Sequence, residues 1–117
     1  MNYILKSRTR GKTFALVQRS ARTGETIICA NRNMARYVNE KAKDLGLSIP
    51  EARSVEYLSD NNYDHSGEKI LIDELSAVLK QILKVDVSAI TDTPDDIVID
   101  TKGLSDSPDC YRNYFRK

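Results

Sequence analysis

Histidine occurs once and cysteine twice in the 117 residues, which leaves little material for metal or thiol chemistry. Cys29 and Cys110 are far apart and lack metal-ligand spacing. Cys29 lies in an apolar run, where a buried reduced thiol is expected rather than a disulfide or a nucleophile. The single histidine, His65, has Asp64 beside it in a polar segment but no partner at metal spacing. No apolar run approaches the roughly 20 residues of a membrane span. The N-terminus, Met1-Asn2-Tyr3-Ile4-Leu5-Lys6, has neither the apolar stretch nor the small-residue cleavage site of a signal peptide. A cytoplasmic location is the expectation. Repeats, low-complexity tracts and linkers are absent, so residues 1–117 are expected to form one domain, with 101–117 a C-terminal tail or short helix.

Net charge is also scarce, at +1, but its distribution is uneven. Up to Arg22 the chain carries Lys6, Arg8, Arg10, Lys12, Arg19 and Arg22 and no acid, whereas 86–109 is mostly acidic. A basic N-terminal segment suits a polyanion, either nucleotide phosphates or nucleic acid; the alternative is a solvated basic surface.

Strands alternate with helices. Tyr3 to Leu5 is expected as a strand, then a helix from Lys12 to about Ala21 with Phe14, Val17 and Ala21 inward. Thr26 to Ala30 has the uninterrupted apolar character of a strand buried on both faces. Asn31 or Asn33 caps the next helix, with Met34, Tyr37, Val38, Ala42 and Leu45 inward and Gly46 ending it. Further strands are expected at 54–58, 69–73, 85–91 and 97–100. Leu75 to Leu83 reads as a helix with Leu75, Val78, Leu79 and Ile82 inward. Ser107-Pro108 reads as a helix start, making Asp109 to Phe115 a terminal helix. This alternation predicts an α/β fold, three-layered, with a mostly parallel sheet and helices on both faces.

Two strings stand at expected strand ends. Lys6-Ser7-Arg8-Thr9-Arg10-Gly11-Lys12-Thr13 follows the first strand and opens a helix. There, backbone N–H groups and the helix N-terminus can face phosphates, and glycine permits close approach. Ile70-Leu71-Ile72-Asp73-Glu74 is an apolar strand ending in two acids. A buried strand can deliver Asp73 rigidly, while Glu74 follows at the same end. The alternative is an acidic start to the next helix.

In this order the strings resemble the Walker A and Walker B motifs of the P-loop nucleoside triphosphatases, in the form of an abbreviated RecA-like helicase lobe. The resemblance lies in motif order and spacing over residues 3 to about 100. It implies ATP and Mg2+ as ligands, with Arg10, Gly11, Lys12 and Thr13 around the phosphates. It further implies Thr13 and Asp73 on the magnesium, the latter directly or through water, with Lys12 and Glu74 catalytic and Glu74 the base for the attacking water. Lys6 stands where the fuller Walker A form has its first glycine, and Thr9 where helicase-like versions often have another; both stiffen the loop.

The same template makes Asn31 and Arg32, after the second strand, candidates for nucleic-acid contact. It makes Thr91 and Thr93, in Ala89-Ile90-Thr91-Asp92-Thr93-Pro94, candidate γ-phosphate sensors. For both segments the plain alternative is a strand-end turn. One lobe is abbreviated, so a partner protein, another copy of the chain or nucleic acid would complete the site. Arg112 and Arg116 could reach across an oligomer, and Tyr111, Tyr114 and Phe115 could stack on bases, though packing and surface roles suit them better. The leading expectation is an ATP- and magnesium-binding protein with slow hydrolysis. Its rivals are a non-catalytic, degenerate P-loop module that binds a protein or nucleic acid, and a nucleic-acid binder using the basic segment alone. Small stand-alone proteins of this look occur in phage and mobile-element gene sets, although no residue fixes a source.

Overall fold

Thr26–Cys29, rich in β-branched residues and bounded by Gly24 and Asn31, is β2, the middle strand of a parallel sheet. Ile27, Ile28 and Cys29 have no exposed surface, as expected of a strand covered on both faces. The computed structural model describes residues 1–5, 11–60, 64–93 and 96–99. Its elements run β1 (Asn2–Leu5), α1 (Lys12–Thr23), β2, α2 (Arg32–Asp44), β3 (Arg53–Ser54), a 3-10 helix (Val55–Ser59), β4 (Ile70–Ile72), α3 (Leu75–Leu83) and β5 (Asp96–Ile99). The described residues divide into two compact units, one holding β1 and β5 and the other β2, β3 and β4. Every strand pairing among the described residues is parallel, and the protein is α/β in kind.

In the first unit β1 pairs with β5, Asn2 opposite Asp96 and Leu5 opposite Ile99. In the second, the order is β3-β2-β4, with Thr26 opposite Ile70 and Cys29 opposite Ser54. The helix α2 packs on β2 and β3 and closes the crossover between them. Asn31 rather than Asn33 is its N-cap, accepting the Met34 N–H at 2.9 Å. At its other end Gly46 takes φ 69°, and the Gly46 and Leu47 N–H groups donate to the Lys43 and Ala42 carbonyls. That is a Schellman termination, and a left-handed residue at this point is what glycine tolerates best.

The helix faces match expectation in part: Val17, Val38, Ala42 and Val78 are buried as expected. Along α1 the buried residues are Leu16, Val17 and Ser20, whereas Phe14 and Ala21 are exposed. Ser20 is small enough to lie inward because its hydroxyl donates to the Glu25 carbonyl at 2.7 Å. Along α2 the buried set is Ala35, Val38 and Ala42, while Tyr37 is 57 % exposed. Alanines occupy two of the three inward positions, and the larger Tyr37 and Leu45 stay outside. Only Val78 of α3 is fully buried, and Ile82 is exposed.

Two expected strands are also corrected. Residues 54–58 form mostly a 3-10 helix rather than a strand, because β3 stops after Ser54. Residues 85–91 make no ladder: Val85, Val87 and Ile90 are exposed despite their β-branched composition. The strand expected at 97–100 is β5. The helix expected at Asp109 to Phe115, and Cys110, lie outside the described residues.

Candidate functional site

Parallel pairing with β2 determines where β4 ends. The Asp73 N–H donates to the Ile28 carbonyl at 3.0 Å, extending the ladder one residue beyond the strand. Asp73 is thereby held at the sheet's edge, 6 % exposed. Thr13, in the first turn of α1, has its hydroxyl 3.5 and 3.4 Å from the two carboxylate oxygens of Asp73. These distances are long for an O–H···O bond, so the hydroxyl stands before the carboxylate fork without gripping it.

The chemistry of that pair suits a hard cation. Magnesium takes oxygen ligands at about 2.0–2.1 Å and uses one or two carboxylates with waters and substrate phosphates rather than an all-protein cage. Among the described residues no group of three His, Cys, Asp or Glu side chains could hold a metal. The Thr13 hydroxyl and the Asp73 carboxylate together offer oxygen atoms that could hold such a cation.

Cys29, at the end of β2, is a buried free thiol. Burial pushes its pKa up to about 12, with the nearby Asp73 carboxylate adding to the rise. This agrees with an inert core cysteine.

Glu74 follows Asp73 at the N-cap position of α3 in a left-handed conformation, φ 60°, ψ 73°. Its side chain makes no capping hydrogen bond, and the residue is exposed. A non-glycine residue there costs on the order of 1–3 kcal/mol. Gly11 takes φ 70° immediately before α1, and Lys12 is the helix's first residue. Arg10 and the rest of 6–10 lie outside the described residues.

The other sequence-derived candidates have structural neighbours of their own. Asn31 is occupied as the α2 cap, and Arg32 forms an exposed ion pair with Glu56 at 3.2 Å. Thr91 and Thr93 are exposed and precede β5 instead of ending a strand. Between them, Asp92 accepts from the Tyr3 hydroxyl and, at 2.7 Å, from the Thr93 N–H. The Tyr3 bond, reinforced by the Thr93 N–H, holds the Asp92 carboxyl below its ordinary pKa.

Some organised features had no clear sequence signal. Asn39 brackets the backbone of Ala52, accepting its N–H at 2.8 Å and donating to its carbonyl at 3.3 Å. His65 joins Glu68 and Tyr57 in a polar cluster, for which the only signal was Glu68 three residues on. An open polar groove of about 530 Å3 is lined by residues including Arg19, Glu25, Thr26, Glu68 and Lys69. Thr26 and Lys69 stand at the start of β2 and just before β4, so the groove belongs to the end of the sheet away from Asp73. No helix among the described residues is long and apolar enough to cross a membrane. No protein-family model matches the chain, and no curated protein or solved structure matches it.

Proposed function

We propose that this chain binds a nucleoside triphosphate, ATP in the first instance, together with magnesium, and hydrolyses it slowly. The observation that carries this reading is the Thr13 hydroxyl before the Asp73 carboxylate, which are distant in sequence and belong to the two motif-like strings. Thr13 and Asp73 would supply oxygen ligands, and bound magnesium would supply charge neutralisation at the phosphates. Gly11 gives the backbone access to a phosphate, and Lys12 adds a compact positive charge. Glu74, exposed at the strand end, accepts the proton of the attacking water. The finer architecture belongs to the same reading: a three-layer, P-loop-like arrangement of a RecA-like lobe, completed by a partner protein, nucleic acid or a second copy.

Calorimetric titration with ATP and magnesium tests the proposal, comparing the native chain with Lys12→Ala. Saturable binding that weakens in the variant supports it; no binding at millimolar ATP refutes it. With binding established, Glu74→Gln is expected to abolish turnover and leave affinity largely intact. Lys6, in place of the first Walker A glycine, favours a second reading, a degenerate module that docks a protein or nucleic acid without nucleotide. Partner binding indifferent to Lys12→Ala would select that reading.

A further inference from the structure

The two ring nitrogens of His65 both face oxygen acceptors. Nδ1 lies 2.8 Å from Glu68 Oε2, and Nε2 lies 3.0 Å from the Tyr57 carbonyl oxygen. Neither a backbone carbonyl nor an ionised carboxylate can donate. A neutral imidazole has one N–H, so it satisfies one of these contacts and turns a lone pair toward the other oxygen. Only the imidazolium donates to both.

The surroundings hold the ring in this place. The side chain is 18 % exposed, and its ring lies against the Tyr57 ring with centroids 4.8 Å apart. The Tyr57 hydroxyl reaches the other carboxylate oxygen of Glu68 at 3.5 Å, and the Arg53 guanidinium lies 5.4 Å from the Tyr57 ring centroid. Around the turn, the Glu68 N–H donates to the His65 carbonyl and the Ser66 N–H to Asp64 Oδ1. Asp60, at the end of the 3-10 helix, adds negative charge. Helix α3 packs on the 3-10 helix, and its Lys80 ammonium is paired with Asp86 at 3.1 Å.

We propose that His65 is a proton-dependent clamp: as the imidazolium it ties the turn at 64–68, which feeds β4, to the 3-10 helix, and on losing its proton it releases one of the two bonds. The Glu68 hydrogen bond is the main cause raising the His65 pKa, opposed by burial and aided by the Glu68 charge, the Tyr57 carbonyl and Asp60. A raised folded-state pKa contributes stability that is complete below the unfolded value, about 6.5, and lost as pH rises through the folded value. The corner is therefore tight in mild acid and loosens toward alkaline pH.

The chain's single histidine gives one set of imidazole resonances, so an NMR pH titration of the full chain reads the clamp directly. The expected midpoint is above that of a peptide spanning the same turn, and Glu68→Gln moves it back toward the peptide value. Backbone amide shifts of Tyr57, Leu58 and Glu68 are expected to titrate with the same midpoint. A native midpoint at or below the peptide's would overturn the proposal, as would a midpoint indifferent to Glu68→Gln. If that variant fails to fold, the native titration decides alone. Melting temperature across pH 5–9 gives a second readout: the native chain loses stability relative to His65→Gln as pH rises through the midpoint, and parallel curves would refute the clamp.

Discussion

The Asp73 N–H donates to the Ile28 carbonyl at 3.0 Å, tying the first acid beyond β4 to the strand beside it. Asp73 therefore has little freedom to retreat from the Thr13 hydroxyl, and both residues are open to substitutions that preserve shape.

Thr13→Val keeps the side-chain volume and removes the oxygen. The magnesium-dependent part of ATP affinity is expected to fall at least about tenfold, since even outer-shell partners of a metal are worth about 10–100-fold. Unliganded stability is expected to change by less than about 1 kcal/mol, because the lost contact with Asp73 is long. Calorimetry with and without magnesium, beside urea denaturation, measures both. Equal magnesium dependence in the variant would remove Thr13 from the site.

Glu74 and Lys84 are the described non-glycine residues with positive φ, 60° and 64°, and they bracket α3. Glycine relieves steric strain at either position, though it adds entropy to the unfolded chain. Glu74→Gly and Lys84→Gly are each expected to stabilise by about 0.5–1 kcal/mol. Only Glu74→Gly is expected to abolish ATP turnover. Denaturant melts and a phosphate-release assay separate the effects; turnover surviving in Glu74→Gly would leave its carboxylate without a catalytic role.

The inward face of α2 can be tested by paired truncations. Val38 has no exposed surface, whereas Tyr37 beside it is 57 % exposed. Val38→Ala removes two methyl groups from a packed site and is expected to cost about 2 kcal/mol. Tyr37→Ala is expected to stay within about 0.5 kcal/mol. Urea denaturation measures both, and the reverse ranking would rotate the helix.

Cys29 should resist alkylation in the native protein. Its thiol is buried with a pKa of about 12, so almost no thiolate exists at pH 8. Iodoacetamide followed by peptide mass spectrometry is expected to label Cys29 only after denaturation. Labelling of native Cys29 within minutes at pH 8 would contradict this burial.

Much of the fold was legible from the sequence because its strongest signals were local. Uninterrupted apolar residues marked β2, Gly46 marked the end of α2 with Asn31 one of two candidate caps at its start, and the boundaries of α3 followed from its periodicity. The less legible parts depended on partners. Val85, Val87 and Ile90 have the composition of a strand, but a strand exists only where another edge accepts its hydrogen bonds. Tyr37 and Val38 are adjacent apolar positions, and only the packing of α2 on β2 and β3 decides which one lies inward. The Glu74 conformation was likewise invisible, because positive φ at a non-glycine residue opposes its intrinsic preference.

The sequence by itself determined the places of the three helices and of β1, β2, β4 and β5, and the glycine that ends α2. These follow from backbone geometry and side-chain chemistry acting over a few residues. Only the tertiary structure decided that β2 lies between β3 and β4, that the Asp73 carboxylate meets the Thr13 hydroxyl, and that His65 faces an acceptor at each nitrogen. Those outcomes require distant segments to share one hydrogen-bonding edge or one buried corner, and no local preference encodes that choice.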